Sequence, residues 1–190
     1  MKAGKWLKKE FEGAELNGKT LGVIGYGRIG QAVAKRAAAF GMKIIGYDPL
    51  IPGETIAQNG AEPVTLDELF AMADMITMHI PLTSSTRGML NAEAFEKMKK
   101  GVYIVCAARG GVIDEEALLA ALESGKVAGA ALDVFAAEPP GPTALVNHPK
   151  VIDTPHVGAQ TVEAQARAAE DIATEVLAAL DQKPLRWKVA

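Results

Sequence analysis

The chain has 190 residues, 49% of them hydrophobic and 23% charged, with a formal net charge of -3. A chain of this length makes one domain and buries about 70% of its unfolded surface. The balance is that of an ordinary soluble protein with no global attraction for nucleic acid or anionic lipid, so neither is expected as a partner. The single cysteine, Cys106, excludes internal disulfides and cysteine-based metal sites and fits a reducing, cytoplasmic setting; no metal is expected. No stretch reaches the ~18 apolar residues of a membrane span, and the basic start "MKAGKWLKKEFEG" has no apolar core of a signal peptide.

In chain order, short apolar runs alternate with helical patterns. Strands are expected at "TLGVIG" (20–25), "KIIGYD" (43–48), "DMITMHI" (74–80), "VYIVCA" (102–107), "AGAALDVF" (128–135) and "KVIDT" (150–154). A helix "IGQAVAKRAAAFG" follows the first strand. Others start at Thr65, which has capping-box spacing to Glu68, and at Asn91, Asp114 and Thr161. Near-continuous apolar strands are buried on both faces, and intervening helices supply right-handed crossovers. The expected fold is α/β, a doubly wound parallel sheet of Rossmann type with helices on both faces, in a single domain. "EPPGPTALVNHP" (138–149) reads as a proline-rich loop.

The first strand runs straight into Gly25-Tyr26-Gly27-Arg28-Ile29-Gly30 at a helix start. Gly25 permits the tight turn, Gly27 lets a pyrophosphate reach backbone N–H groups, and Gly30 lets helix and strand pack closely. Arg28 places a cation near that diphosphate. Asp48 ends the second strand 18 residues after Gly30, where a carboxylate accepts from both ribose hydroxyls and repels a 2′-phosphate. The cofactor indicated is NAD rather than NADP.

Hydride transfer between a carbinol and a nicotinamide needs a proton acceptor, a cation near the oxygen and an anchor for the substrate. Three residues at strand ends carry such groups: Arg109, Glu138 and His156. A carboxylate on one imidazole nitrogen fixes the tautomer and leaves the other nitrogen for proton transfer. Plainer roles exist for each: Arg109 in a surface pair with Asp114 or Glu115, Glu138 as a turn carboxylate, His156 as a polar loop cap.

"LNGKTLGVIGYGRIGQAVAKRAAAFGMKIIGYDP", "HIPLTSSTRGML", "ARGGVIDEEALLAAL", "GAALDVFAAEPP" and "TPHVGAQTVEAQ" together resemble the NAD-binding domain of the D-2-hydroxyacid dehydrogenases, over nearly all of residues 13–183. The resemblance implies that Arg109 holds the substrate carboxylate and carbonyl, that His156 is the acid/base and that Glu138 is its partner. It puts Asp133 near the nicotinamide carboxamide and His79 and Pro81 on the adenine side, with Ile29, Cys106, Ala107 and Gly158 completing the cofactor surface. The substrate implied is a 2-hydroxy acid, most closely 3-phosphoglycerate of serine biosynthesis, with glyoxylate or hydroxypyruvate reduction and a non-catalytic NAD(H)-sensing module as alternatives. Cys106 is a departure, since the family commonly has Asn there. The resemblance further implies a homodimer and a separate substrate domain that is absent here, with residues 1–12 a remnant of the interdomain helix and 184–190 a C-terminal tail. Trp6, Leu7 and Phe11 would be an exposed apolar group without a dimer partner. The chain by itself is expected to bind cofactor without turnover.

Overall fold

A computed structural model describes Gly4, Trp6 and residues 12–187. Trp6 is exposed; Leu7, Phe11 and residues 188–190 lie outside the described residues. The chain divides into two compact units, Met1–Asp153 and Thr154–Ala190.

The first unit alternates strands and helices: β1 (Thr20–Ile24), α1 (Arg28–Ala39), β2 (Lys43–Tyr47), α2 (Gly53–Gln58), β3 (Glu62–Pro63), α3 (Leu66–Met72), β4 (Met75–Met78), α4 (Ala92–Lys97), β5 (Val102–Cys106), α5 (Glu115–Glu123), β6 (Val127–Leu132) and β7 (Val151–Asp153). The seven strands form one sheet in the order β3-β2-β1-β4-β5-β6-β7, and every pair is parallel. The chain winds one way from β1 to β3 and the other way from β4 to β7, so the switch point falls between β1 and β4.

The predicted helix starts are present with their caps. Thr65 and Glu68 form a full capping box, Asn91 accepts from Ala94 N–H, and Asp114 accepts from the N–H groups of Glu116 and Ala117. The sequence reading missed α2 and β3. With six residues and one buried side chain, Ile56, α2 is too short to carry a periodic signal.

Side chains of β1 alternate between two cores. Leu21 and Val23 pack with Ala34, Ile44 and Ile56 on the α1 side. On the other face a Cβ at Gly22 would collide with the Leu69 side chain, so α3 lies directly on β1 there. That second core continues through Phe70, Ile76, Phe95, Ile104, Leu118 and Leu122.

One expectation needs correction. β5 is not buried on both faces: Val102, Ile104 and Cys106 are buried, whereas Tyr103 and Val105 are each 39% exposed. Right-handed crossovers put α1 and α2 on the face of the first winding and the later helices on the opposite face. The α1 face of β5 therefore has no crossover helix of its own. Several strands also stop short of their apolar runs, so His79, Asp133 and Phe135 leave the sheet at its C-terminal edge.

In the second unit α6 (Val162–Leu180) is capped by Thr161, whose hydroxyl accepts from Ala164 N–H. Its apolar residues Ile172, Val176 and Leu180, spaced four apart, are exposed. Glu175 accepts from the N–H groups of Arg186 and Trp187, fixing the tail back onto the helix. Among the described residues no helix is long and apolar enough to cross a membrane.

Candidate functional site

The turn from β1 to α1 is built by close approach. Gly25 has φ 89°, and a Cβ there would lie 2.5 Å from the carbonyl oxygen of His79, at the end of β4. A Cβ at Gly30 would run into the carbonyl of Gly25. Both positions need glycine for the turn itself. Gly27 differs: it is the N-cap of α1 without a side-chain cap, and a Cβ there would meet nothing within 4 Å. The space in front of the helix start is therefore open, as a diphosphate on the first N–H groups of α1 requires. Arg28 and Ile29, the first two residues of α1, are both exposed, Ile29 by 67%.

Asp48 directly follows β2. Its Oδ2 accepts from Tyr26 N–H at 2.8 Å and its Oδ1 from Leu50 N–H at 2.9 Å. An ionised carboxylate has about four lone-pair sites, so each oxygen keeps acceptor capacity for a ribose hydroxyl. Tyr26 is fully buried, with its hydroxyl on the Asn59 carbonyl at 3.1 Å.

Across the switch point His79 N–H donates to Ile24 O at 2.7 Å, and His79 Nε2 lies 3.1 Å from Thr77 Oγ1. Burial pushes the imidazole below its ordinary value of 6.5. Pro81 O accepts from Thr86 Oγ1 at 2.6 Å, which closes the "PLTSST" loop on itself.

Two further loops leave the sheet beside each other. β5 ends in buried Cys106, and the loop after it carries exposed Ala107 and exposed Arg109, whose Nη1 donates to the Ala108 carbonyl at 2.6 Å. Burial raises the Cys106 thiol above its ordinary range, opposed by N–H groups of Ala108 and Arg109. The β6 loop carries Asp133, which is buried and whose N–H donates to Cys106 O at 2.9 Å, and then Glu138, whose Oε1 accepts from Phe135 N–H at 3.1 Å. A Cβ at Gly110 would overlap the carbonyl of Phe135. The loops bearing Arg109 and Glu138 therefore touch backbone to backbone.

Asp114 Oδ1 caps α5, and Glu115 Oε1 accepts from Ala136 N–H at 2.7 Å. Sequence reasoning missed this use of Glu115, because only the fold brings Ala136 to it from 21 positions away. The role of Tyr26 was missed for the same reason, its partners Asp48 and Asn59 lying 22 and 33 positions away.

His156 and Gly158 belong to the second unit and are exposed. His156 adopts φ 54°, the left-handed region that non-glycine residues rarely occupy. Its N–H donates to Thr154 O at 3.0 Å, so the residue sits on a tight turn rather than in the core. Among the described residues no group of His, Cys, Asp and Glu is arranged to hold a metal ion.

A strand–glycine turn–helix at the switch point of a parallel sheet, with an acidic residue closing the second strand, defines a dinucleotide-binding domain. The model of the D-isomer specific 2-hydroxyacid dehydrogenase NAD-binding domain matches residues 1–158, and the chain belongs to that family, with NAD as cofactor. It is 54% identical over 185 residues to D-3-phosphoglycerate dehydrogenase of Rattus norvegicus, covering 97% of this chain and 35% of the relative. It is 52% identical over 179 residues to hydroxypyruvate reductase of Thermotoga maritima, covering 93% of this chain and 58% of that protein. A crystal structure of a glyoxylate reductase from Paecilomyes thermophila superposes with a TM-score of 0.92 at 42% identity, over 99% of this chain and 57% of that one. The chain thus spans about a third of the length of the rat relative.

Proposed function

We propose that this chain is the cofactor-binding part of an NAD-dependent dehydrogenase that interconverts D-3-phosphoglycerate and 3-phosphohydroxypyruvate, the entry to serine biosynthesis. The observation that carries the reading is the contact between the Arg109 and Glu138 loops at the C-terminal edge of the sheet, where ligands of such sheets bind. In this reading Gly25, Gly27, Arg28, Ile29 and Gly30 hold the diphosphate, and Asp48 holds the adenosine ribose. His79 and Pro81 line the adenine side. Cys106, Ala107, Asp133 and Gly158 form the nicotinamide end. NAD supplies the hydride acceptor.

Arg109 binds the substrate carboxylate and polarises its oxygen. His156 takes the hydroxyl proton when the alcohol is oxidised and returns it when the ketone is reduced, and Glu138 orients the imidazole. The organisation proposed is one NAD domain over residues 1–190 that works with a separate substrate domain, in a cytoplasmic homodimer with no nucleic-acid or membrane partner.

The comparable identity to hydroxypyruvate reductase supports a second reading, reduction of hydroxypyruvate or glyoxylate with the same three residues. A purely NAD(H)-sensing module is disfavoured by the complete Arg109, Glu138 and His156 set. Initial rates of the full enzyme with 3-phosphohydroxypyruvate, hydroxypyruvate and glyoxylate separate the readings. A kcat/KM at least about tenfold higher, some 1.4 kcal/mol, for the phosphorylated substrate is expected, and a preference for either reductase substrate would overturn the assignment.

A further inference from the structure

Glu115 opens α5 and has no part in the chemistry assigned above. Its neighbour Glu116 is exposed, as acidic residues at helix starts commonly are. Glu115 instead turns its Oε1 onto the N–H of Ala136, at 2.7 Å. Ala136 follows Phe135, whose N–H already binds Glu138 Oε1. The stretch Ala136–Glu138 is exposed, and the Phe135–Glu138 bond spans only three positions. An exposed loop belongs to the low-stability end of a fold. The Glu115 carboxylate ties it to a helix end fixed in the core through Leu118 and Leu122. Glu115 also lines one small cavity together with Cys106, Arg109 and Gly110. The backbone of Gly110 lies against Phe135 and Ala136 on that side.

We propose that Glu115 is a positioning residue that clamps the Glu138 loop against the Arg109 loop and so fixes the spacing between the carboxylate that orients the acid/base imidazole and the substrate-anchoring guanidinium. The proposal rests on the roles given above to Arg109 and Glu138. Chemistry at a bound substrate is sensitive to such spacing, a displacement of about 1 Å costing roughly a hundredfold in rate.

The test measures amide exchange at Ala136 in this chain, and kcat, KM and their pH dependence in the full enzyme, for Glu115→Ala, Glu115→Gln and Glu138→Gln. Glu115→Ala should speed Ala136 exchange, lower kcat about ten- to a hundredfold and leave KM for NADH unchanged. It should also shift the pH limb of the imidazole in the direction that Glu138→Gln shifts it. Glu115→Gln, whose amide oxygen accepts the same bond, should recover most of kcat. Ala136 exchange unchanged in Glu115→Ala, or faster exchange with kcat and pH limb unaltered while Glu138→Gln alters both, overturns the proposal. A Glu138→Gln enzyme with unaltered kcat overturns the catalytic role of Glu138, while fast Ala136 exchange in Glu115→Ala still establishes the clamp.

Discussion

Asp48 Oδ2 accepts a 2.8 Å hydrogen bond from the backbone N–H of Tyr26, the second residue of the glycine turn. The residue proposed to read the ribose therefore also shapes the loop proposed to hold the diphosphate. Charge-assisted hydrogen bonds of this kind contribute about 1.5–3 kcal/mol each. Asp48→Ala is expected to weaken NADH binding by at least about tenfold and to narrow the preference over NADPH. Calorimetry with both cofactors measures it, and an unchanged ratio of affinities would remove Asp48 from the ribose site.

Burial of the His79 imidazole is expected to make the stability of the domain acid-sensitive. The unfolded chain protonates this imidazole near its ordinary value of 6.5, whereas burial holds the folded form neutral to lower pH. The contribution is fully present above about 6.5 and is lost as pH falls from there toward the depressed folded value. The lowered carboxyls act further down, from ordinary values of 4.5 for Glu68 and 3.8 for Asp74. Melting temperatures of the chain at pH 7.5 and 5.5 should thus differ less for His79→Gln than for the unmutated chain. Equal differences would show that His79 is not the source.

Gly110→Ala should separate the loops bearing Arg109 and Glu138, because its Cβ would overlap the Phe135 carbonyl, which is backbone and cannot turn aside. A stability loss of about 1–3 kcal/mol is expected, and in the full enzyme a fall in kcat larger than the change in NADH affinity. A fully active, equally stable variant would mean that the loops need not touch.

The 190-residue chain alone should bind NADH, because the proposed adenosine and diphosphate contacts from Gly25 to Pro81 all lie in the first unit. At about 100 times the dissociation constant, a ligand selective for the folded state stabilises it by about 2.7 kcal/mol, a rise in Tm of roughly 5–10 °C for a chain of this size. Oxidation of NADH by 3-phosphohydroxypyruvate should stay at background, since enclosure and orientation of the substrate belong to the proposed substrate domain. Substantial turnover by this chain would refute that division of labour.

The sequence by itself determined the α/β alternation, the helix caps at Thr65, Asn91, Asp114 and Thr161, the glycine turn and the residue types at the strand ends. These are local features: periodicity, capping spacing and turn chemistry act over a few residues and stay readable in one dimension. The tertiary structure alone decided that β5 leaves Tyr103 and Val105 exposed, since that follows from which face each crossover covers. It alone joined Asp48 to Tyr26, His79 to Gly25, Gly110 to Phe135 and Glu115 to Ala136. Each of these pairs is 21 or more positions apart. No local pattern encodes such contacts, because a parallel sheet brings distant strand ends to one edge only when the whole sheet is wound.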